Sequence, residues 1–311
     1  MPATWSASRT RTFQECRRKY YYRYHLAPLG RRPDAPPEAV QAERVKDLVG
    51  LEAWCGDLVH RVIETALQHW RARRTFTAED GTRLAQRELS RQFRASHQFW
   101  QAHPEEFVHR PTLLDLHYYG DGTLPRERAA ELKERVFTAV SGFLHSRLAE
   151  RIQRALPGGW LPIDRLAAAR LDEGLTIYVR PDFAYREGEW LHILDWKTGR
   201  SDPFWELVQV TCYALYAAEK WSQPLSCIVP QIVHLYPELR IAETEYTEAS
   251  LHDVLTFIRE SHGEIAELCG EEPLPPAERF PFCDDPGRCR WCQFRGLCAG
   301  AARAAAEGAR G

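Results

Sequence analysis

The sequence predicts an α/β protein with helices around a small mixed sheet. Three observations lead there. Glu52–Trp70 spaces Trp54, Leu58, Val59, Val62, Ile63, Ala66, Leu67 and Trp70 as one broad helical stripe. Two strand-like runs, Leu175–Tyr185 and Trp190–Thr198, flank the turn-like Arg186-Glu187-Gly188-Glu189. A helical segment, Phe204–Lys220, then precedes two more strand runs, Ser226–Tyr236 and Ile241–Tyr246.

The remaining elements follow in chain order. Ser6 and Ser8 precede a predicted helix over Arg9–Tyr24, with Phe13, Cys16, Tyr20 and Tyr24 on one face. Pro33, Pro36 and Pro37 mark a loop. Residues 72–160 read as mainly helical, over Thr77–Gln101 and Pro125–Leu156, with a loop at His103–Leu124. Leu251–Leu268 closes the set as a helix, and Pro273–Pro281 reads as a loop. The expected organisation is one domain over 1–298, with a helical insertion at about 72–160 and a flexible tail at 299–311.

Composition sets the limits on function. The chain has 311 residues, 41 Lys+Arg against 43 Asp+Glu, a net charge of -2 and nine cysteines. Its apolar content suits a folded core and excludes disorder over most of the length. No apolar run is long enough to span a membrane, and Met1–Thr12 has no apolar signal region, so a cytoplasmic protein is expected. In that compartment the cysteines read as thiols or metal ligands rather than a disulfide framework. The balanced charge argues against bulk nucleic-acid coating but leaves room for a local site. From Arg9 to Arg32 there are eight Lys or Arg and one acid, Glu15, with four tyrosines among them.

The sharpest local signal is Arg180-Pro181-Asp182 followed by Leu194-Asp195-Trp196-Lys197. Alternation along a strand points Asp195 and Lys197 to one face. If Arg186 pairs with Leu191, the antiparallel register sets Asp182 opposite Asp195. Two carboxylates that close repel, and a hard divalent cation relieves the repulsion. The bland alternative is a solvated Asp–Lys pair. The apolar strand around it, Leu191, Ile193 and Leu194, favours a site.

These residues resemble the PD-(D/E)XK nuclease superfamily. Gly56-Asp57-Leu58-Val59-His60 resembles the glycine-to-histidine motif of its RecB-like branch, and Gln209-x-x-x-Tyr213 resembles that branch's helical motif. The resemblance implies a restriction-endonuclease-like core. It implies His60, Asp182 and Asp195 as ligands of Mg2+ or Mn2+, and Asp182, Asp195, Lys197, Gln209 and Tyr213 as catalytic residues. Each residue alone has an ordinary structural reading. The ordered set of four motifs is what points to a nuclease.

Cys55, Cys212, Cys227 and Cys269 lie in apolar segments and read as packed thiols. Cys289-x-x-Cys292, with Cys298 after five intervening residues, has the spacing of a metal or cluster site that needs a fourth ligand from elsewhere. Spacing leaves zinc and iron-sulfur open. Phe13-Gln14-Glu15-Cys16-Arg17-Arg18-Lys19-Tyr20 resembles the N-terminal cysteine motif of AddB-type, exonuclease V and CRISPR-associated nucleases. That resemblance implies a [4Fe-4S] cluster on Cys16, Cys289, Cys292 and Cys298, with zinc as the alternative and Cys283 left free. Such a staple closes most of the chain, worth about 5 kcal/mol in chain entropy. Arg17, Arg18, Lys19 and Tyr20 are then expected to meet DNA, the cations on phosphates and the ring on a base.

The expected function is a metal-dependent deoxyribonuclease, an exonuclease favouring single-stranded or free-ended DNA in repair or recombination, with a helicase or recombination partner and no membrane. The alternatives are a CRISPR-adaptation or helicase-partnered nuclease, and a catalytically silent, zinc-stabilised DNA-binding scaffold.

Overall fold

The structure, a computed structural model, describes residues 3–102, 112–155, 158–161, 167–171, 174–243 and 247–299. Strand β1 (Ala3–Trp5) leads into helices α1 (Ala7–Glu15) and α2 (Arg17–Tyr21), then α3 (Pro37–Val45) and α4 (Leu51–Arg71). Helices α5 (Ala78–Ala102), α6 (Asp115–Tyr119), α7 (Arg126–Leu144) and α8 (Arg147–Arg154) follow. Next come β2 (Ala167–Arg170), β3 (Leu175–Val179), β4 (Phe183–Glu187), β5 (Trp190–Lys197), α9 (Pro203–Trp221), β6 (Ile228–His234) and β7 (Arg240–Glu243). Helices α10 (Glu248–Cys269) and α11 (Pro286–Cys289) complete the order. The α/β class and the small mixed sheets are as expected.

The chain divides into two compact units. The first comprises Met1–Ala7, Leu51–Ala95 and Gly122–Thr256, and the second Ser8–Gly50, Ser96–Asp121 and Phe257–Gly311. Of the tail expected at 299–311, residues 300–311 lie outside the described residues, as do 103–111 of the expected loop.

In the first unit, β4-β5-β6-β7 form one sheet, with β5 parallel to β6 and antiparallel to β4. The hairpin register is the expected one: Arg186 pairs with Leu191 and Phe183 with Leu194. Gly188 has φ +63° in the two-residue turn, a conformation that glycine adopts without steric cost. The run Leu175–Tyr185 is not one strand. It breaks at Arg180-Pro181-Asp182 into β3 and β4, which belong to different sheets. Pro181 has no N–H to give a ladder, so pairing stops there.

Helix α4 buries the stripe read from the sequence, Trp54 through Trp70. It packs on α7, where Trp70 stacks on Phe143 at 6.3 Å. The helix expected over Pro125–Leu156 is two, because Ser146 caps a new start: its Oγ accepts from the Ala149 N–H at 3.1 Å. Asp202 caps α9 in the same way, with Pro203 at its first position.

The second unit is built on aromatic packing. Phe13, Tyr20, Tyr21, Tyr22, Phe280 and Phe294 are buried together with Leu26, Val45 and Leu113. The helix expected over Arg9–Tyr24 is interrupted at Cys16, whose backbone is extended at φ -167° and ψ 112°. Cys16 Sγ accepts from the Lys19 N–H at 3.4 Å and so caps α2. Of the prolines expected to mark a loop, Pro33 and Pro36 lie in one, and Pro37 already opens α3. Gly30 lies against α3 so closely that an added Cβ would stand 2.2 Å from the Ala39 carbonyl oxygen.

That contact makes a prediction. Gly30→Ala should lower the urea unfolding midpoint, costing about 1–3 kcal/mol as overpacking against backbone that cannot yield. Gly50→Ala, where nothing stands within 4 Å, should leave the midpoint nearly unchanged.

Candidate active site

Three elements of the first unit converge on β5. As a middle strand, β5 has both edges paired, so its polar side chains sit among covered apolar ones. Asp195 is 4% exposed. Its neighbour two residues on, Lys197, shares its face as alternation requires, and the Lys197 Nζ lies 2.6 Å from Asp195 Oδ2. The Nζ also donates to Gln209 Oε1 at 2.8 Å.

Helix α9 supplies the other side of Asp195. Tyr213 donates its hydroxyl to Asp195 Oδ1 at 2.7 Å, and Gln209 Nε2 donates to the same oxygen at 3.0 Å. Gln209 Nε2 also donates to the Tyr213 hydroxyl at 2.7 Å. The one-turn spacing of Gln209 and Tyr213 is what lets both reach one carboxyl. Lys197 fixes the amide orientation, since an ammonium needs the oxygen end.

Asp182 enters from the break before β4. Its N–H donates to the Leu194 carbonyl at 3.1 Å, and its Oδ2 accepts from the Trp196 N–H at 2.7 Å. Its Oδ1 lies 3.0 Å from His60 Nδ1, carried by α4. Gly56, one turn before His60, explains how α4 comes so close: a Cβ there would meet Thr198 Oγ1 at 2.8 Å. Exposure is graded. The side chains of His60 and Lys197 are 35% and 31% exposed, while that of Asp195 is 6%.

The titrations follow from this packing. Burial, then the charge of Asp182, raises the Asp195 carboxyl above the usual range, despite Lys197 and Tyr213. Burial pushes His60 down, but the charge and hydrogen bond of Asp182 outweigh it and the net is upward. Burial and the Asp195 charge raise Tyr213 well above the usual phenol, so its hydroxyl stays a donor.

The two carboxyls are hard oxygen donors of the kind that suits Mg2+ or Mn2+, and the imidazole adds a borderline nitrogen donor. The rise at Asp195 marks a place where added positive charge would be favourable. Each donor currently faces a protein partner. Among the described residues, no group of three or more His, Cys, Asp or Glu stands in metal-binding geometry. Arg135 of α7 was not singled out in the sequence. It donates to the Thr198 carbonyl, just past Lys197, and lies 5.1 Å over the Tyr236 ring. Its target is a backbone carbonyl, which leaves no motif to read.

The second unit holds the sulfur residues. Cys16, Cys283, Cys289, Cys292 and Cys298 all line one cavity of about 380 Å³, with Lys19, Arg288 and Trp291 also on its wall. Cys283 Sγ lies 3.6 Å from Cys289 Sγ. Burial is the first cause raising the thiols of Cys16, Cys283, Cys289 and Cys292. Elsewhere, Cys55 and Cys212 are buried, while Cys227 and Cys269 are half-buried, with Cys269 Sγ 3.2 Å from His25 Nε2.

One of the expected DNA contacts, Tyr20, needs correction. Tyr20 has no exposed surface, so it cannot stack on a base. Its ring packs on Phe13 at 5.2 Å, and its hydroxyl accepts from Arg9 at 2.8 Å. The cations beside it are engaged within the unit. Arg17 pairs with Glu264, Arg18 donates to the Phe280 carbonyl at 2.8 Å, and Lys19 lies 3.3 Å from Glu15. An aromatic that is open to solvent is Trp291, 73% exposed, with Arg290 5.5 Å over its ring.

The family model that matches this chain is that of the PD-(D/E)XK nuclease superfamily, over residues 4–299. No curated protein matches the chain. Among the described residues, no helix is long and apolar enough to cross a membrane.

The buried carboxyl supports a stability prediction. Tyr213→Phe removes a donor to Asp195 while keeping the ring, and should cost about 2 kcal/mol, the range for a hydrogen bond to a charged group. Denaturant unfolding should show a lowered midpoint with an unchanged slope.

Proposed function

The chain belongs to the PD-(D/E)XK nuclease superfamily, whose members are nucleases that use Mg2+ or Mn2+, and we propose that it is an exonuclease hydrolysing DNA phosphodiester bonds with preference for single strands, in repair or recombination. The observation that carries the catalytic part is Asp195 paired with Lys197 at 2.6 Å, beside Asp182 and His60 at 3.0 Å. The preference for single strands comes from the resemblance to the RecB-like branch.

In this reading His60, Asp182 and Asp195 hold the divalent cation, which when bound polarises the scissile phosphate and lowers the pKa of a water. The Lys197 side chain is 31% exposed, and its Nζ can donate to a water or to a developing phosphate charge. Gln209 holds that ammonium in place through its Oε1. Tyr213 and the Gln209 amide fix Asp195 Oδ1, leaving its other oxygen toward Lys197. The positions of these groups are set before substrate arrives, and such preorganisation is the larger part of electrostatic catalysis.

The second part of the reading concerns the thiols. Cys16, Cys289, Cys292 and Cys298 would hold a [4Fe-4S] cluster, with zinc the competing occupant. Their place on one cavity wall supports this, as does their cysteine chemistry, which suits soft metals.

Two experiments test the proposal. Purified protein should degrade end-labelled single-stranded DNA with Mg2+ or Mn2+ and stop with chelator, while circular single strands survive. Asp195→Ala and Lys197→Ala should each reduce the rate by about a hundredfold or more. Undiminished degradation by either variant would sink the active-site assignment. Protein isolated without oxygen should be brown and contain iron and sulfide. Colourless protein containing zinc would reject the cluster.

A further inference from the structure

The sulfur cavity holds one thiol more than a four-ligand centre needs. Five cysteines line it, and the fifth, Cys283, is not a bystander at its rim. Its Sγ stands 3.6 Å from Cys289 Sγ. Two thiolates bound tetrahedrally to one metal at about 2.3 Å have sulfurs about 3.8 Å apart. Cys283 and Cys289 therefore already sit at a separation at which both can reach a shared metal position.

Besides Cys289, Cys283 Sγ has a weak polar contact, 3.5 Å to the Asp285 carbonyl. It lies six positions before Cys289, next to the short helix α11 that carries Cys289. The two sulfurs are therefore neighbours both along the chain and on the cavity wall. Cys16 is placed differently. Its Sγ caps α2 through the Lys19 N–H, so leaving its position costs the helix a cap. Cys269 is half-buried against His25 and does not line this cavity.

We propose that Cys283 is an alternate metal ligand that takes the place of Cys289, so that the centre has five thiols for four positions. The proposal rests on the reading that Cys16, Cys289, Cys292 and Cys298 hold a metal centre. In the exchange the Cys283 thiol gives up its proton and binds as thiolate, while the Cys289 thiolate leaves and takes up a proton. The number of ligands, the charge of the centre and its oxidation state are unchanged.

The test compares full-length variants isolated without oxygen, reading iron, sulfide and zinc per chain together with the visible absorption. Cys289→Ser should retain most of the wild-type metal, and so should Cys283→Ser. Cys292→Ser should lose nearly all of it although Cys283 is intact. The double variant Cys283→Ser/Cys289→Ser should also lose it. Far-UV circular dichroism checks that each variant is folded, and if the double variant is not, the contrast between Cys289→Ser and Cys292→Ser decides alone. Metal-bearing wild type with an empty Cys289→Ser overturns the alternate ligand and leaves the four-thiolate centre standing. Full metal retention by Cys292→Ser also overturns it, since exchange would then not depend on position. A Cys283–Cys289 disulfide in the metal-bearing wild type, found by mass spectrometry after thiol blocking, overturns it too. Wild type without iron or zinc overturns the metal-centre reading itself.

Discussion

A carboxyl group buried in the middle strand of a sheet sets the terms for the first unit. Asp195 lies on the middle strand of the sheet with α9 packed over its face, and an enclosed carboxyl needs partners. Tyr213, Gln209 and Lys197 are those partners. Meeting that need fixes the rotation of α9, since Gln209 and Tyr213 must both face the strand. The polar face of α9 is thus directed inward at one point, and its Val208, Cys212 and Tyr216 fill the covered surface around it. The groups that make Asp195 tolerable inside the fold are also those that would present it to a cation.

How much of this was legible depended on whether a residue's role left a periodic trace. The hairpin register was legible, since alternation and a turn glycine determine it together. The partners of Asp195 on α9 were legible as a one-turn spacing. The break at Pro181 was not read as a break, although proline is a strong signal, because the residues beside it looked like continuous strand. Cys16 was read as helix interior because its spacing fits a helical face. Its extended backbone comes from a local sulfur–amide contact that periodicity does not register.

The basic aromatic segment shows a different limit. Composition there suggested contact with nucleic acid, and burial gives a simpler account of most of it. Tyr20, Tyr21 and Tyr22 are the core of the second unit. Arg9 and Arg18 donate to a tyrosine hydroxyl and a backbone carbonyl at that core. Arginine there behaves as a packing residue with a polar tip. Alternating charge and aromaticity is compatible with either role, and only the direction of each side chain separates them.

The missing side chain at Gly56 has a consequence for how the site keeps its dimensions. With no Cβ, α4 rests almost directly on the hydroxyl of Thr198, which follows Lys197 in the chain. His60 stands one helical turn further along the same rigid rod, and Asp182 is tied by its own hydrogen bonds to the backbone of β5. Helix and strand are thereby gauged against each other at one contact point, and the gap between imidazole and carboxyl is inherited from it. A single methyl group at position 56 would have to displace either the Thr198 hydroxyl or the helix, and in the second case it would act as a shim between His60 and Asp182 without touching either.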